Sequence, residues 1–502
     1  MKWLKEKISV SYKSFVIASV IFLSLPVIVF FLGMLKLYIG IPLALVWIWL
    51  STLIIKDYGS NNLKFQCMRM TPALLFLLFI VIAILFGIGE FVWCDDDHKV
   101  RYAILNDLVN LKWPVVFDFD LQQNPLVKAE FGAGSAALVY YYVYWMVPAL
   151  IGKLFGLMAA RVTLVLWSAF GLFLVFMGMG FITKRLQKRA LYLLLFFGGL
   201  DILVLMVKTQ MGDNEALLEM WNTPFVVHGN FAQLMNVFNQ TIPCWLIAMF
   251  VYKNSNKKSI GFLGALMFFY SPWATIGFLP IALSRFFYDS QNRRWKFSEI
   301  KWIKSVNNIL PEVIALIVMG SFYLSSSNGM SSNTYLWDGK MSIDVIVEHF
   351  LLYALVEFAV WAALLFGRFK KNEFYWVMIL EMVLLPLAII PGLFDLHWRG
   401  SLVPMWFMTL MLMELISNIN IKAYRSLDLK SLCTLMLIIV VSFGGLLQLM
   451  NIVISTATGV EDGSRRITSF SNIVDPDEAG ITRHNYFAEE YQNTFFFKYL
   501  SK

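Results

Sequence analysis

Long apolar runs separated by short polar segments fill most of the chain, and many approach the roughly 20 residues a helix needs to cross a hydrocarbon core. The pattern predicts spans at residues 14–34, 38–55, 71–93, 161–182, 191–207, 241–252, 306–324, 345–366, 374–393, 401–416 and 430–455. Strand-type alternation is absent, so helices are expected to satisfy the backbone inside the bilayer. Residues 260–287 are too long for one crossing and carry Ser271-Pro272 at their middle, which predicts two short spans or a re-entrant hairpin. The expectation is an all-α polytopic protein with about 13 transmembrane helices.

Charge orients these spans. The basic N-terminus and Lys56, Lys64 and Arg69 belong in the cytoplasm by the positive-inside rule, which puts the segment after residue 93 outside. The run at 137–156 looks like a span, but a crossing there would carry the basic cluster at 183–189 outside. A Tyr- and Trp-rich helix lying in the outer interface restores that cluster to the cytoplasm. The organisation expected is a two-span region at 1–70, a membrane domain at 71–455 with an outer loop at 94–159, and an extracytoplasmic tail at 456–502. Roughly 26 of the 41 Lys and Arg then fall inside, and roughly 22 of the 33 Asp and Glu outside.

Composition agrees: 59% of residues are hydrophobic and 15% charged, which excludes an ordinary soluble domain. The net charge of +8 follows from the loops and does not call for a nucleic-acid partner. Cys67, Cys94, Cys244 and Cys433 have no paired spacing and read as packing residues. The first span is longer than a signal-peptide core and lacks an obvious cleavage site, so it is expected to be retained.

The polar chemistry gathers at the outer ends of spans. Asp95, Asp96 and Asp97 are consecutive, so their mutual repulsion raises at least one pKa unless Lys99, Arg101 or a metal compensates. Such a group suits a general base, a divalent-cation site or a solvated acidic loop. His98 follows directly. Lys153 and Arg161 flank the interfacial segment and suit either headgroups or a lipid phosphate. Asp395, His397 and Arg399 mark the boundary between two spans, where Arg399 fits a phosphate and Asp395 offers it an ion pair. Trp221, His228 and Gln240 are the sugar-site candidates in the loop at 208–240, by stacking and hydrogen bonding. Asp201, Glu312, Glu357, Glu381 and Glu414 lie in or near spans and support a transporter as an alternative. No Walker A, dinucleotide or GxSxG motif is present.

An outer carboxylate after an early span, then "RYAILNDLVNLKWPV", "YYYVYWMVPALIGKLFG", a span and "KRLQKR", resembles the first loop of GT-C fold glycosyltransferases. "FNQTIPCWL" at 238–246, "YSPWATIGFLP" at 270–280 and "DLHWRGSLVP" at 395–404 are similar to further stretches of bacterial members. The resemblance implies a polyprenyl-phosphate-linked sugar donor, a glycan, lipid or protein acceptor, inversion, and a bacterial plasma membrane. It implies an outer-loop base, best Asp97, with Arg399, Lys153, Arg161, Arg101 and His397 around the lipid phosphate, and Trp221, Gln240, His228, Asp395 and His98 around sugar and acceptor. The juxtamembrane helices would be 100–111 and 137–155. A polyprenyl-linked polysaccharide polymerase is the nearest alternative.

Overall fold

The computed structural model describes residues 6–92, 96–120, 134–201, 203–204, 207, 222, 225–253, 257–289, 294–297, 304–326, 342–387, 394–417, 436, 439, 469 and 486–502, with backbone alone at 96, 97, 394 and 395. The chain is mostly helical, and seven helices among the described residues are long and apolar enough to cross a membrane.

Strand β1 (Lys7–Ser11) pairs antiparallel with β2 (Lys64–Met68) at what we term the hairpin end of the bundle. Between them run α1 (Tyr12–Met34) and α2 (Leu37–Gly59), each of 23 residues. Ser11 opens α1 by accepting the Ser14 amide at 3.1 Å, the usual service of a serine N-cap. Helix α3 (Thr71–Leu85) is shorter than the apolar run predicts. Gly87 and Gly89 take positive φ values of 74° and 86°, which turn the chain back where a helix would continue.

The chain now stays at the opposite, loop end through α4 (Asp96–Asn110), β3 (Val116–Asp118), β4 (Ser135–Leu138) and α5 (Met146–Phe155). Here the expected helix at 137–156 is corrected: residues 137 and 138 belong to β4, and the α-helix is confined to Met146–Phe155. The cause is long-range pairing. Strand β4 is flanked by β3 and by β7 (Phe487–Ala488), with Ala137 opposite Ala488, so its backbone groups are used in a sheet before they can be used in a helix. Helix α6 (Leu157–Thr183) then returns to the hairpin end, where Phe181 packs on Phe65 of β2 at 4.8 Å.

After α7 (Lys188–Phe196) comes α8 (Asn230–Lys253), which is not continuous: Val237 has φ −143° and ψ 40°. Helices α9 (Ile260–Tyr270) and α10 (Pro272–Phe287) follow, separated by an extended Ser271. Lys257 Nζ donates to the Phe286 carbonyl at 2.7 Å, so both outer ends of this pair lie together. An 11-residue helix rises only about 16 Å, and α9–α10 is therefore a re-entrant hairpin from the hairpin end. A small β5–β6 pair (Tyr288–Asp289, Arg294–Trp295) closes it. Further helices among the described residues are α11 (Val306–Tyr323), α12 (Ile343–Phe369), α13 (Glu373–Leu384), α14 (Phe394–Gly400) and α15 (Leu402–Ser417). Helices α14 and α15 run on as one apolar unit, Leu396–Ser417. The predicted span at 430–455 lies outside the described residues.

The C-terminal residues return to the loop end. Besides β7, the Lys502 amide donates to Met34 at 3.1 Å and the Lys36 amide to Leu500 at 2.9 Å, tying the tail to the junction of α1 and α2. Phe496 is fully buried against Phe30 and Phe322.

Candidate functional site

The break in α8 gathers the polar interior of the molecule. Asn239 and Gln240 follow the non-helical Val237 and are buried to within 1% exposure. Gln240 Oε1 accepts the hydroxyl of Ser271, the tip of the α9–α10 hairpin, at 2.7 Å. The same hydroxyl oxygen accepts the Ala274 amide at 3.2 Å and so caps α10. Thr241 Oγ1 donates to the Gln233 carbonyl at 2.9 Å, occupying an acceptor that the break takes out of the helical ladder.

Two re-entrant segments meet here from opposite ends. From the loop end, Tyr144 reaches Ser168 at 3.0 Å, well inside α6, and rests against Phe22 near the middle of α1. From the hairpin end, Tyr270 donates to the Leu23 carbonyl at 2.7 Å. Trp273 Nε1 donates to Tyr141 Oη at 2.9 Å and joins them. Tyr141 in turn packs edge-on against Tyr323 of α11. Helix α14 closes the third side. A Cβ on Gly277 would overlap the Gly400 carbonyl, so only glycine permits α10 to approach α14 this closely. His228 packs on Trp398 with ring centroids 5.0 Å apart, and Gln233 Nε2 donates to the His228 carbonyl at 2.7 Å.

The sequence-derived candidates divide into three groups. The first converges on the α8 break: Gln240 directly, His228 through Gln233 and Trp398, and His98, whose ring lies 6.5 Å from Phe238 and whose Nε2 is 3.1 Å from the Phe86 carbonyl. His397 is buried beside Tyr353 at 5.5 Å, and Arg399 stands in the last turn of α14, one residue before Gly400. The second group is engaged elsewhere. Arg161 donates from Nε to Gly89 and from Nη2 to Glu90, both at 2.8 Å, with the Glu90 carboxylate 3.6 Å away. Lys153 donates to the carbonyls of Val109 and Leu111 at 3.3 and 2.5 Å and lies over Trp113, a C-terminal cap for α4. Burial pushes its ammonium below the ordinary lysine value. Arg101 is buried on α4.

The third group falls outside the description. Asp95 and Trp221 lie outside the described residues, as do the side chains of Asp96, Asp97 and Asp395. The backbone places Asp96 and Asp97 at the start of α4, directly before His98. Among the described residues no three His, Cys, Asp or Glu side chains come together as a metal site.

Sequence reasoning read Ser271 only as a break in an apolar run, and it passed over Asn230, Gln233 and Asn239. These three are carboxamides in an otherwise apolar helix and are at most 1% exposed. Polar residues in such a run were a readable signal, because each must find a partner in the bundle or mark a pathway.

No protein-family model matches the chain, and no curated protein or solved structure is significantly similar to it.

Proposed function

We propose that the chain is an integral membrane glycosyltransferase of GT-C type, transferring a sugar from a polyprenyl-phosphate-linked donor to a hydroxyl acceptor at the extracytoplasmic face of a bacterial plasma membrane. The observation that carries this reading is convergence. The three stretches whose order resembles the family, 238–246, 270–280 and 395–404, are remote in sequence yet meet through the Gln240–Ser271 bond and the Gly277–Gly400 contact. Helix α4, beginning at Asp96, brings His98 to the same place.

In this mechanism Asp97 takes the proton of the acceptor hydroxyl. The oxygen attacks the anomeric carbon, the bond to the phosphate oxygen breaks, and the electron pair leaves with the polyprenyl phosphate. Arg399 neutralises the charge developing there. Lys153 and Arg161 already bind protein carbonyls, so they support the loop that holds Asp97.

A transporter is the second reading. A Cβ on Gly199 would strike both the Glu357 and Asp201 carboxylates, so two buried acids face each other beside the π-turn of α12 at Ala354–Ala359. Alanine at Asp97 and, separately, at Glu357 and Glu381 discriminates. Loss of sugar transfer at Asp97 with transfer retained at both buried acids supports the transferase; loss only at the buried acids contradicts it.

A further inference from the structure

Helix α8 carries four buried carboxamides, at its break and in the turns before it, and several of their atoms have no partner among the described residues. Among the described residues Asn239 lacks a partner at both Oδ1 and Nδ2, Gln240 at Nε2, Gln233 at Oε1 and Asn230 at Oδ1. All four side chains are at least 99% buried. Leaving one such atom unsatisfied in an interior is unfavourable, so each calls for a partner that the surrounding side chains do not supply: water, an ion or a bound ligand. Between Asn230 and Tyr252 the helix carries no charged residue. The wall beside the break is aromatic: Phe238 lies edge-on to Tyr144 at 5.9 Å and to Trp145 at 6.3 Å.

We infer that the α8 break is the recognition site for an uncharged, hydroxyl-rich sugar ring, read by Asn239, Gln240 and Gln233. A carboxamide offers one acceptor oxygen and two donor hydrogens, which is the complement of a hydroxyl that both gives and receives. Neutral amides in an interior favour a neutral ligand, since a carboxylate or ammonium brought there would meet no opposite charge on α8. Aromatic edges and faces suit the C–H surface of a pyranose. This assignment rests on the transferase reading for the donor's lipid phosphate, but the selectivity follows from the amides alone.

The test is binding and thermal unfolding of the full chain in nanodiscs. The probes are farnesyl-phosphate-linked glucose, farnesyl-phosphate-linked glucuronic acid and farnesyl phosphate itself. The glucose ester should bind at least tenfold more tightly than the other two. Asn239→Leu should abolish that preference while leaving farnesyl phosphate affinity unchanged, a built-in control for folding. Because the substitution removes two unsatisfied atoms, the ligand-free variant should unfold at or above the wild-type temperature. Gln240→Met should weaken the glucose ester about tenfold as well. Equal binding of the glucose and glucuronic acid esters, or an Asn239→Leu protein that is less stable without ligand and keeps the preference, overturns the inference. Binding of farnesyl phosphate with no gain from any sugar overturns it while leaving the lipid-phosphate reading standing; failure of all three probes to bind overturns both.

Discussion

At Arg161 three interactions converge on one turn: two carbonyls and a carboxylate of residues 89–90 hold a side chain that is only 10% exposed. Removing it strands those acceptors, and Arg161→Met is expected to lower stability by about 2–4 kcal/mol, read by thermal unfolding in detergent. Unchanged stability with weakened polyprenyl phosphate binding would return Arg161 to the donor site. The sequence shows that Lys153 and Arg161 stand at the membrane boundary, but not that the carbonyls ending α4 and the turn after α3 reach them first. Charge position is local information, and partner choice is not. Asn239 illustrates the reverse: its chemistry was in plain view, yet an apolar run hides which polar member lacks a partner until the neighbouring helices are placed.

The α9–α10 hairpin is the element on which the site depends. Its tip was legible, because Ser-Pro in an over-long apolar run marks a break, and Ser271 both caps α10 and holds Gln240. Ser271→Ala should cost about 1–2 kcal/mol, and a double substitution with Gln240→Met should show a coupled rather than additive loss in unfolding measurements. Gly277→Ala tests the other contact. Its methyl group would meet the Gly400 carbonyl, a backbone atom that cannot swing aside, so a loss of about 1–3 kcal/mol or more is expected, accompanied by loss of the α14 contribution to the site. The segment at 137–145 was not legible. Its aromatic and apolar residues suit an interfacial helix, and pairing with β3 on one side and with a strand from the far end of the chain, at Phe487–Ala488, on the other draws its start into a sheet.

Across the whole molecule, the loop end is a composite of the first large loop and the last residues of the chain. Phe487 packs on Phe117 and Phe119, and Tyr486 lies 4.7 Å from Tyr140, next to the Tyr141 that contacts the hairpin tip. Phe496→Ala removes a ring that fills the space between α1 and α11, and is expected to cost about 3–5 kcal/mol in thermal unfolding. The orientation we propose from the positive-inside rule predicts that single cysteines at Arg185 and Lys498 label from opposite sides of the membrane, with Lys498 outside. Labelling of Arg185 from outside would reverse it.

The proposal that most needs testing is that an outer-loop carboxylate activates an acceptor for a lipid-linked sugar. Transfer of radiolabelled sugar from polyprenyl-phosphate donors to membrane extracts should be compared for the wild type and for Asp95→Asn, Asp96→Asn and Asp97→Asn. Transfer by the wild type is expected, with its abolition by one substitution, at Asp97, in a protein that remains folded. Equal transfer by all four proteins, or none by any, would contradict it.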